Sequence, residues 1–146
     1  MPDSAEVAIE GALLDRLNAL VLTPAMPVSL PNIQFPPPQA TPNTGYLRAT
    51  FLPADSVTLG LARGSSIQHY GLLRVDVFYG LFGGELAPSR VASSVISWFK
   101  RGTQLTRGGF TVNVFKAPFR GPMSRDDVWV MIPVSIPYIA FAPDPA

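Results

Sequence analysis

Residues 68–79 read QHYGLLRVDVFY, and from residue 73 onward the side chains follow a period of two. The residues of one parity are all apolar or aromatic: Leu73, Val75, Val77 and Tyr79. Those of the other parity include two charged side chains, Arg74 and Asp76. This period is typical of a strand with one buried face, so we predict a strand over 68–79.

The segment before this strand predicts its partner in a hairpin. Residues 46–52 have strand character and end at Pro53, which donates no backbone hydrogen bond. The connection, residues 53–66, is long and rich in small residues, and connections of about this length are commonly functional. We predict a protruding loop over 53–66 that becomes ordered only against a neighbour.

The segment after this strand predicts a helix and further strands. A helix is expected over 88–100, because Pro88 suits a first turn and Gly102 an end. Its apolar stripe comprises Val91, Val95, Trp98 and Phe99. A hairpin is expected over 103–105 and 110–116, around the turn Arg107-Gly108-Gly109. The final strand is predicted over 128–139, and because Pro133 and Pro137 share one parity we expect its later half to be peripheral or unpaired on one side.

The N-terminal part predicts one helix followed by a proline-rich connection. A helix over 4–21, capped by Asp3 or Ser4, would bury a stripe at helical spacing: Ile9, Leu13, Leu17, Leu20 and Val21. Residues 22–45 hold seven prolines, which exclude a helix and leave room for one short edge strand near 28–30. The triplet at 36–38 favours a stiff extended path, with a ligand for a proline-binding groove as the lesser alternative.

The order helix, strands, helix, strands predicts an α+β fold. We expect an antiparallel or mixed sheet with two helices packed on it, in a single domain over 1–146. The predicted core combines the apolar positions of each element: Leu13, Leu17, Val75, Val77, Val91, Val95, Trp98, Val112, Val114 and Val130.

Composition narrows the classes of protein. The 146 residues are 47% apolar and only 14% charged, which excludes a disordered chain and favours a surface covered by partners. The absence of cysteine excludes disulfides and thiolate chemistry. The N-terminus lacks a basic signal-peptide region, and the longest apolar run, 128–142, is too short to span a bilayer, so we expect no membrane segment and a cytosolic default.

No arrangement of residues predicts catalysis. His69 is the single histidine, and no serine–acid pair accompanies it at a known spacing. Asp126-Asp127 is the only adjacent acidic pair in the chain, and it is interpreted as a solvated turn. The glycine clusters lack a nucleotide-binding pattern. We therefore expect no enzymatic activity, no metal and no cofactor.

Charge is polarised along a chain whose net charge is only +1. Residues 1–15 carry four acids and no base: Asp3, Glu6, Glu10 and Asp15. Residues 86–125 carry most of the basic side chains: Arg90, Lys100, Arg101, Arg107, Lys116, Arg120 and Arg125. Chance clustering explains this pattern as well as function does. The functional interpretation is head-to-tail association, with the acidic first helix of one copy near the basic region of the next.

Several stretches resemble a known family. They are residues 99–105 (FKRGTQL), Gly121-Pro122 followed by Trp129 and residues 132–138 (IPVSIPY), and the strands around 46–54 and 75–79. Together they resemble the tail-terminator-like proteins of long-tailed bacteriophages and of phage-derived particles such as gene transfer agents. The resemblance extends from Ala8 to Phe141.

This resemblance implies a structural virion protein at the tail–neck junction, assembled in the bacterial host cytoplasm. It implies a hexameric ring that caps the tail tube, stops its polymerisation and joins it to the head. Its partners would be further copies, the tail tube protein and the head–tail connector or stopper protein. DNA would only pass through the ring, and no membrane would be involved.

The candidate interface residues combine the two charged regions with the predicted loop: Asp3, Glu6, Glu10, Asp15, Leu59, Leu61, Arg63, Lys100, Arg101, Arg107, Arg120 and Arg125. Two alternatives stay open. One is a different structural protein of the neck or tail. The other is a small nucleic-acid-binding or ligand-binding domain that uses the basic region 86–125.

Overall fold

The computed structural model describes residues 4–22, 25–60 and 66–143. The two helices are α1 (Ala5–Asn18) and α2 (Leu86–Trp98). The strands are β1 (Val28–Ser29), β2 (Gly45–Pro53), β3 (Val57–Thr58), β4 (Ser66–Gly80), β5 (Gln104–Arg107), β6 (Phe110–Val114), β7 (Phe119–Arg120), β8 (Ser124–Arg125) and β9 (Trp129–Pro143). The predicted α+β class in a single domain is confirmed.

All nine strands join one mixed sheet whose main path is β1-β2-β4-β9-β6-β5. The long strands β4 and β9 pair in antiparallel register, with Val75 opposite Val134. β1 pairs parallel with β2, as the edge strand expected in the proline-rich connection. β6, β7 and β8 pair in turn with successive parts of β9, on the side away from β4.

We expected the later half of the last strand to be peripheral or unpaired on one side. The first alternative is wrong, and the second holds only locally, since no described strand pairs with residues 136–137 on the side away from β4. β9 is central: it pairs with β4 throughout, and residues 138–140 also pair with β6. Gly121 N–H donates to Pro133 O (2.8 Å), so the backbone polar groups of Pro133 point to the flank of β6, β7 and β8. Pro137 has the same parity. That flank is divided into short strands, which accommodates two missing N–H groups within a central strand.

One face of the sheet packs against both helices and forms the core. The parity predicted for 73–79 is confirmed, since Leu73, Val75 and Val77 are completely buried. Eight of the ten predicted core residues are buried: Leu13, Leu17, Val75, Val77, Val95, Val112, Val114 and Val130. Val91 and Trp98 are instead half-buried at the margin of the core.

Both helices differ from their predicted bounds. α1 ends at Asn18, so Val21 lies beyond the helix and is 86% exposed rather than part of the stripe. Ser4 caps α1, as expected, by accepting the backbone N–H of Val7 at 3.4 Å. α2 starts and ends two residues earlier than predicted, and fully buried Ala92 occupies a core position that the stripe omitted. Close packing of helix on sheet favours small residues, which an apolar stripe of large residues does not reveal.

The opposite face of the sheet carries the other parity and holds a buried charge. Asp76 is 1% exposed because two arginines cover it. Arg48 Nη2 lies 2.9 Å from its Oδ2, and Arg74 Nε lies 2.7 Å from its Oδ1. Beside them Tyr46 stacks on Phe78, with ring centroids 4.5 Å apart. The alternation predicted on which face of the sheet Asp76 lies. It did not predict that Asp76 is buried, because the burial depends on Arg48 of the neighbouring strand β2.

The predicted loop 53–66 contains more strand than expected. β2 includes Pro53, β4 begins at Ser66, and β3 pairs with β4 through Val57 opposite Gln68. Leu59 follows β3 and is exposed. Leu61 and Arg63 lie outside the described residues, as does Asp3. Protrusion and ordering against a neighbour therefore remain predictions.

Candidate functional site

The described residues contain no cluster of three or more histidines, aspartates or glutamates able to hold a metal ion. His69 lies in β4 and lines a cleft between α1 and the sheet. Neither helix of the described ranges is both long and apolar enough to cross a membrane.

Asp126 forms the turn expected for the Asp126-Asp127 pair. Its Oδ1 accepts the backbone N–H groups of Trp129 at 2.6 Å and Val128 at 2.7 Å. These two bonds, the one from Trp129 first, hold the pKa of the Asp126 carboxyl below its usual value. The pair is a structural turn leading into β9.

The basic residues of region 86–125 belong to different elements, and two of them have partners within the chain. Arg107 Nη1 pairs with Asp15 Oδ2, which joins β5 to α1. Arg120 donates to Ser89 Oγ at 2.8 Å and lies 3.9 Å from Glu85 Oε1. Three candidate interface charges, Asp15, Arg107 and Arg120, thus have contacts in a single copy. Arg125, in β8, is exposed.

Lys100 and Arg101 form an exposed basic turn between α2 and β5, hereafter the basic turn (residues 100–103). Phe99 anchors its start and is completely buried. Thr103 N–H and Oγ1 both bond to Lys100 O, at 3.1 and 2.7 Å. Gly102 adopts φ +93°, and its N–H donates to Val114 O at 2.8 Å. The turn therefore presents two cations on a fixed backbone.

A cleft of about 590 Å³ lies between the N-terminal half of α1 and the β2–β3 arm of the sheet. We call it the acidic cleft. Its carboxylates are Glu6, Glu10 and Asp55, and its aromatic side chains are Phe51, Tyr70 and Tyr138. Among the described residues, none of these carboxylates has a salt-bridge partner. The combination provides negative charge beside planar apolar surface.

Tyr138 forms part of the cleft wall although it is 1% exposed. Burial, and then the nearby carboxylates Glu10 and Glu6, raise the pKa of its hydroxyl to about 12. Within the described part of the chain, this hydroxyl makes no side-chain hydrogen bond. Sequence analysis predicted Glu6 and Glu10 as contact residues but missed Tyr138. Its apolar parity in β9 indicated only a core position.

Several apolar side chains are exposed outside this cleft. Phe82 is 85% exposed and has φ +68°, a conformation that bulky residues rarely adopt. Leu86, at the start of α2, is 68% exposed. These exposed apolar side chains agree with the low share of charged residues in the sequence, 14%.

Comparisons with known proteins agree with the fold and identify the family. Among curated protein sequences, none matches this chain significantly. A solved structure matches it with a TM-score of 0.77 and 28% identity, covering 94% of this chain and 96% of the other. The family model described as phage tail terminator protein matches residues 8–138. Because that match spans most of the sequence, the chain belongs to the phage tail terminator family.

Proposed function

We propose that this chain is a tail terminator that forms a ring of six copies, caps the tail tube, stops its polymerisation and joins it to the head. Family membership makes it a structural, virion-associated protein of the phage tail that contacts other virion proteins. The family match over residues 8–138 is the observation that carries the proposal.

The composition and surface are consistent with a chain that functions among neighbours. Only 14% of its residues are charged, and exposed apolar side chains such as Phe82 and Leu86 have no cover in a single copy. An isolated protein gains solubility from surface charge, whereas a subunit covered by neighbours needs less. The surface therefore favours assembly over a solitary ligand-binding domain.

A ring requires two different patches that meet between neighbouring copies. The acidic cleft lies between the N-terminal half of α1 and strands β2, β4 and β9. The basic turn joins α2 to β5, the last strand of the main path. Two separate patches of opposite charge on one subunit support head-to-tail contact.

The proposal is tested by deleting the gene for this chain in its parent particle and imaging the products by electron microscopy. We expect tail tubes of uncontrolled length and heads without tails, both restored by the wild-type chain supplied in trans. Tubes of normal length that still join heads would contradict the proposal.

A further inference from the structure

We infer that the acidic cleft is the docking site for the side chain of Arg101 from a second copy of this chain. The inference rests on the proposed ring and names the contact that would link neighbouring subunits. It involves binding only, with no covalent step.

The cleft has the chemistry that a guanidinium group recognises. Glu6, Glu10 and Asp55 supply carboxylates, and Phe51, Tyr70 and Tyr138 supply aromatic surface within the same cleft. A guanidinium is planar, pairs with carboxylates through two N–H groups and stacks on aromatic rings. A lysine ammonium lacks the planar face, so the combination favours arginine.

The hydroxyl of Tyr138 provides an independent indication that a ligand enters. Tyr138 is 1% exposed, lines the cleft and makes no side-chain hydrogen bond in the described ranges. An ideal Cβ added at Gly71 would lie only 2.9 Å from this hydroxyl oxygen, so the backbone fits closely against the group. The side chain is otherwise enclosed and borders the cleft, so an arginine N–H that reaches the cleft would donate to this oxygen.

Arg101 is an exposed arginine without a salt-bridge partner among the described residues. Arg107 and Arg120 already pair within the chain, with Asp15 and Glu85 respectively. Arg101 is exposed on the basic turn, whose backbone is fixed by bonds to Val114 and within the turn itself. A fixed backbone reduces the entropy lost on binding. The turn and the cleft are different patches of the subunit, so this contact can propagate head to tail around a ring.

The first experiment measures binding to uncapped tails purified from the deletion strain. Glu10→Lys and Arg101→Glu are each expected to raise the concentration of chain needed for half-maximal capping at least about tenfold. The combined variant should recover part of that loss. Tyr138→Phe should weaken capping without a change in charge. Asp127→Lys, the same charge change at an exposed turn outside the cleft, should cap like the wild type.

The second experiment uses the absence of cysteine in the chain. A variant carrying Asp55→Cys and Lys100→Cys, which keeps Arg101 in place, is bound to uncapped tails and treated with a short bis-maleimide. We expect a ladder of covalent multiples of the chain on a denaturing gel. The pair Asp55→Cys and Asp127→Cys serves as the matched control and should remain monomeric.

The outcomes separate this inference from the proposed ring. Six copies per tail without a ladder, or a double reversal as weak as the sum of its parts, would overturn docking of Arg101 and leave the ring intact. A chain that binds no tails at all would overturn the proposed function and, with it, this contact. A ladder together with charge rescue would support both.

Discussion

Arg16 and Trp98 show how single residues join the two helices. Trp98 Nε1 donates to Arg16 O at 2.7 Å, and Arg16 Nη2 donates to Trp98 O at 2.9 Å. The guanidinium carbon also lies 3.7 Å from the centroid of the indole ring. Sequence periodicity placed Trp98 in the core, but its actual role is to connect the ends of α1 and α2. No local pattern could have predicted this, since the two residues are 82 positions apart.

Replacing Trp98 by phenylalanine tests this contact. Trp98→Phe keeps an aromatic ring but removes the indole N–H, so we expect the free energy of unfolding to fall by about 1 kcal/mol, the net value of one hydrogen bond. Trp129→Phe is the control, because Trp129 packs against Tyr46 in an aromatic cluster and its indole has no bond partner in the described residues. Urea unfolding of both variants should show the larger loss at position 98; equal losses would contradict the account.

Tyr138 contributes a part of the stability that is lost at high pH. Its hydroxyl has a folded-state pKa of about 12, above the value of roughly 10 for an unfolded tyrosine. Between these values the unfolded chain releases a proton that the folded chain retains, so stability falls as pH rises. Below pH 10 this contribution is fully present.

When the pH is raised from about 8 to about 11, we expect the free energy of unfolding of the Tyr138→Phe variant to fall by less than that of the wild type. Denaturant unfolding at both pH values measures the difference. Tyr79→Phe is a comparison, since burial also raises the pKa of Tyr79, away from the cleft carboxylates. If the pH dependence of the Tyr138→Phe variant equals that of the wild type, the hydroxyl does not titrate as described.

At the scale of elements, sequence pattern predicted most of the sheet and both helices. The period of two in β4 identified the side chains that face the helices. Alternate side chains of a strand lie on opposite faces, so the apolar set must lie on the buried face. Short elements were harder to predict. β3, β7 and β8 are two residues each, too short for any period, and they exist because β4 and β9 offer unpaired backbone groups. The acidic cleft needed the same long-range pairing to bring β2, β4 and β9 beside α1.

The end of β4 is tied to the proline-rich connection through a close backbone approach. An ideal Cβ added at Gly80 would lie 1.9 Å from the carbonyl oxygen of Thr41. Gly80→Ala must therefore displace backbone, and we expect it to lower the free energy of unfolding by at least about 2 kcal/mol.

Gly11→Ala provides the matched control. The same change in α1 would meet only the flexible end of Arg107, and alanine favours a helix over glycine by about 1 kcal/mol. In thermal and urea unfolding, we therefore expect Gly80→Ala to lower the free energy of unfolding and Gly11→Ala to leave it unchanged or raise it. A tolerated Gly80→Ala would show that the connection is not fixed against β4.

At the scale of the whole molecule, the subunit carries an acidic cleft and a separate exposed basic turn. The sequence predicted the opposing charges but not their distribution, because Asp15 and Arg107 pair within one copy while Glu6 and Glu10 line an open cleft. A patch composed of distant segments becomes visible only when the fold brings them together. The resulting asymmetry is what a closed ring of identical subunits requires.

The ring is tested most directly by a three-dimensional reconstruction of the head-proximal end of purified tails. We expect six copies of this 15.7 kDa chain around the tail axis. Each basic turn should lie against the acidic cleft of its neighbour. A tail end without this chain, or one holding it as a single copy or as symmetric pairs with like surfaces in contact, would contradict the account.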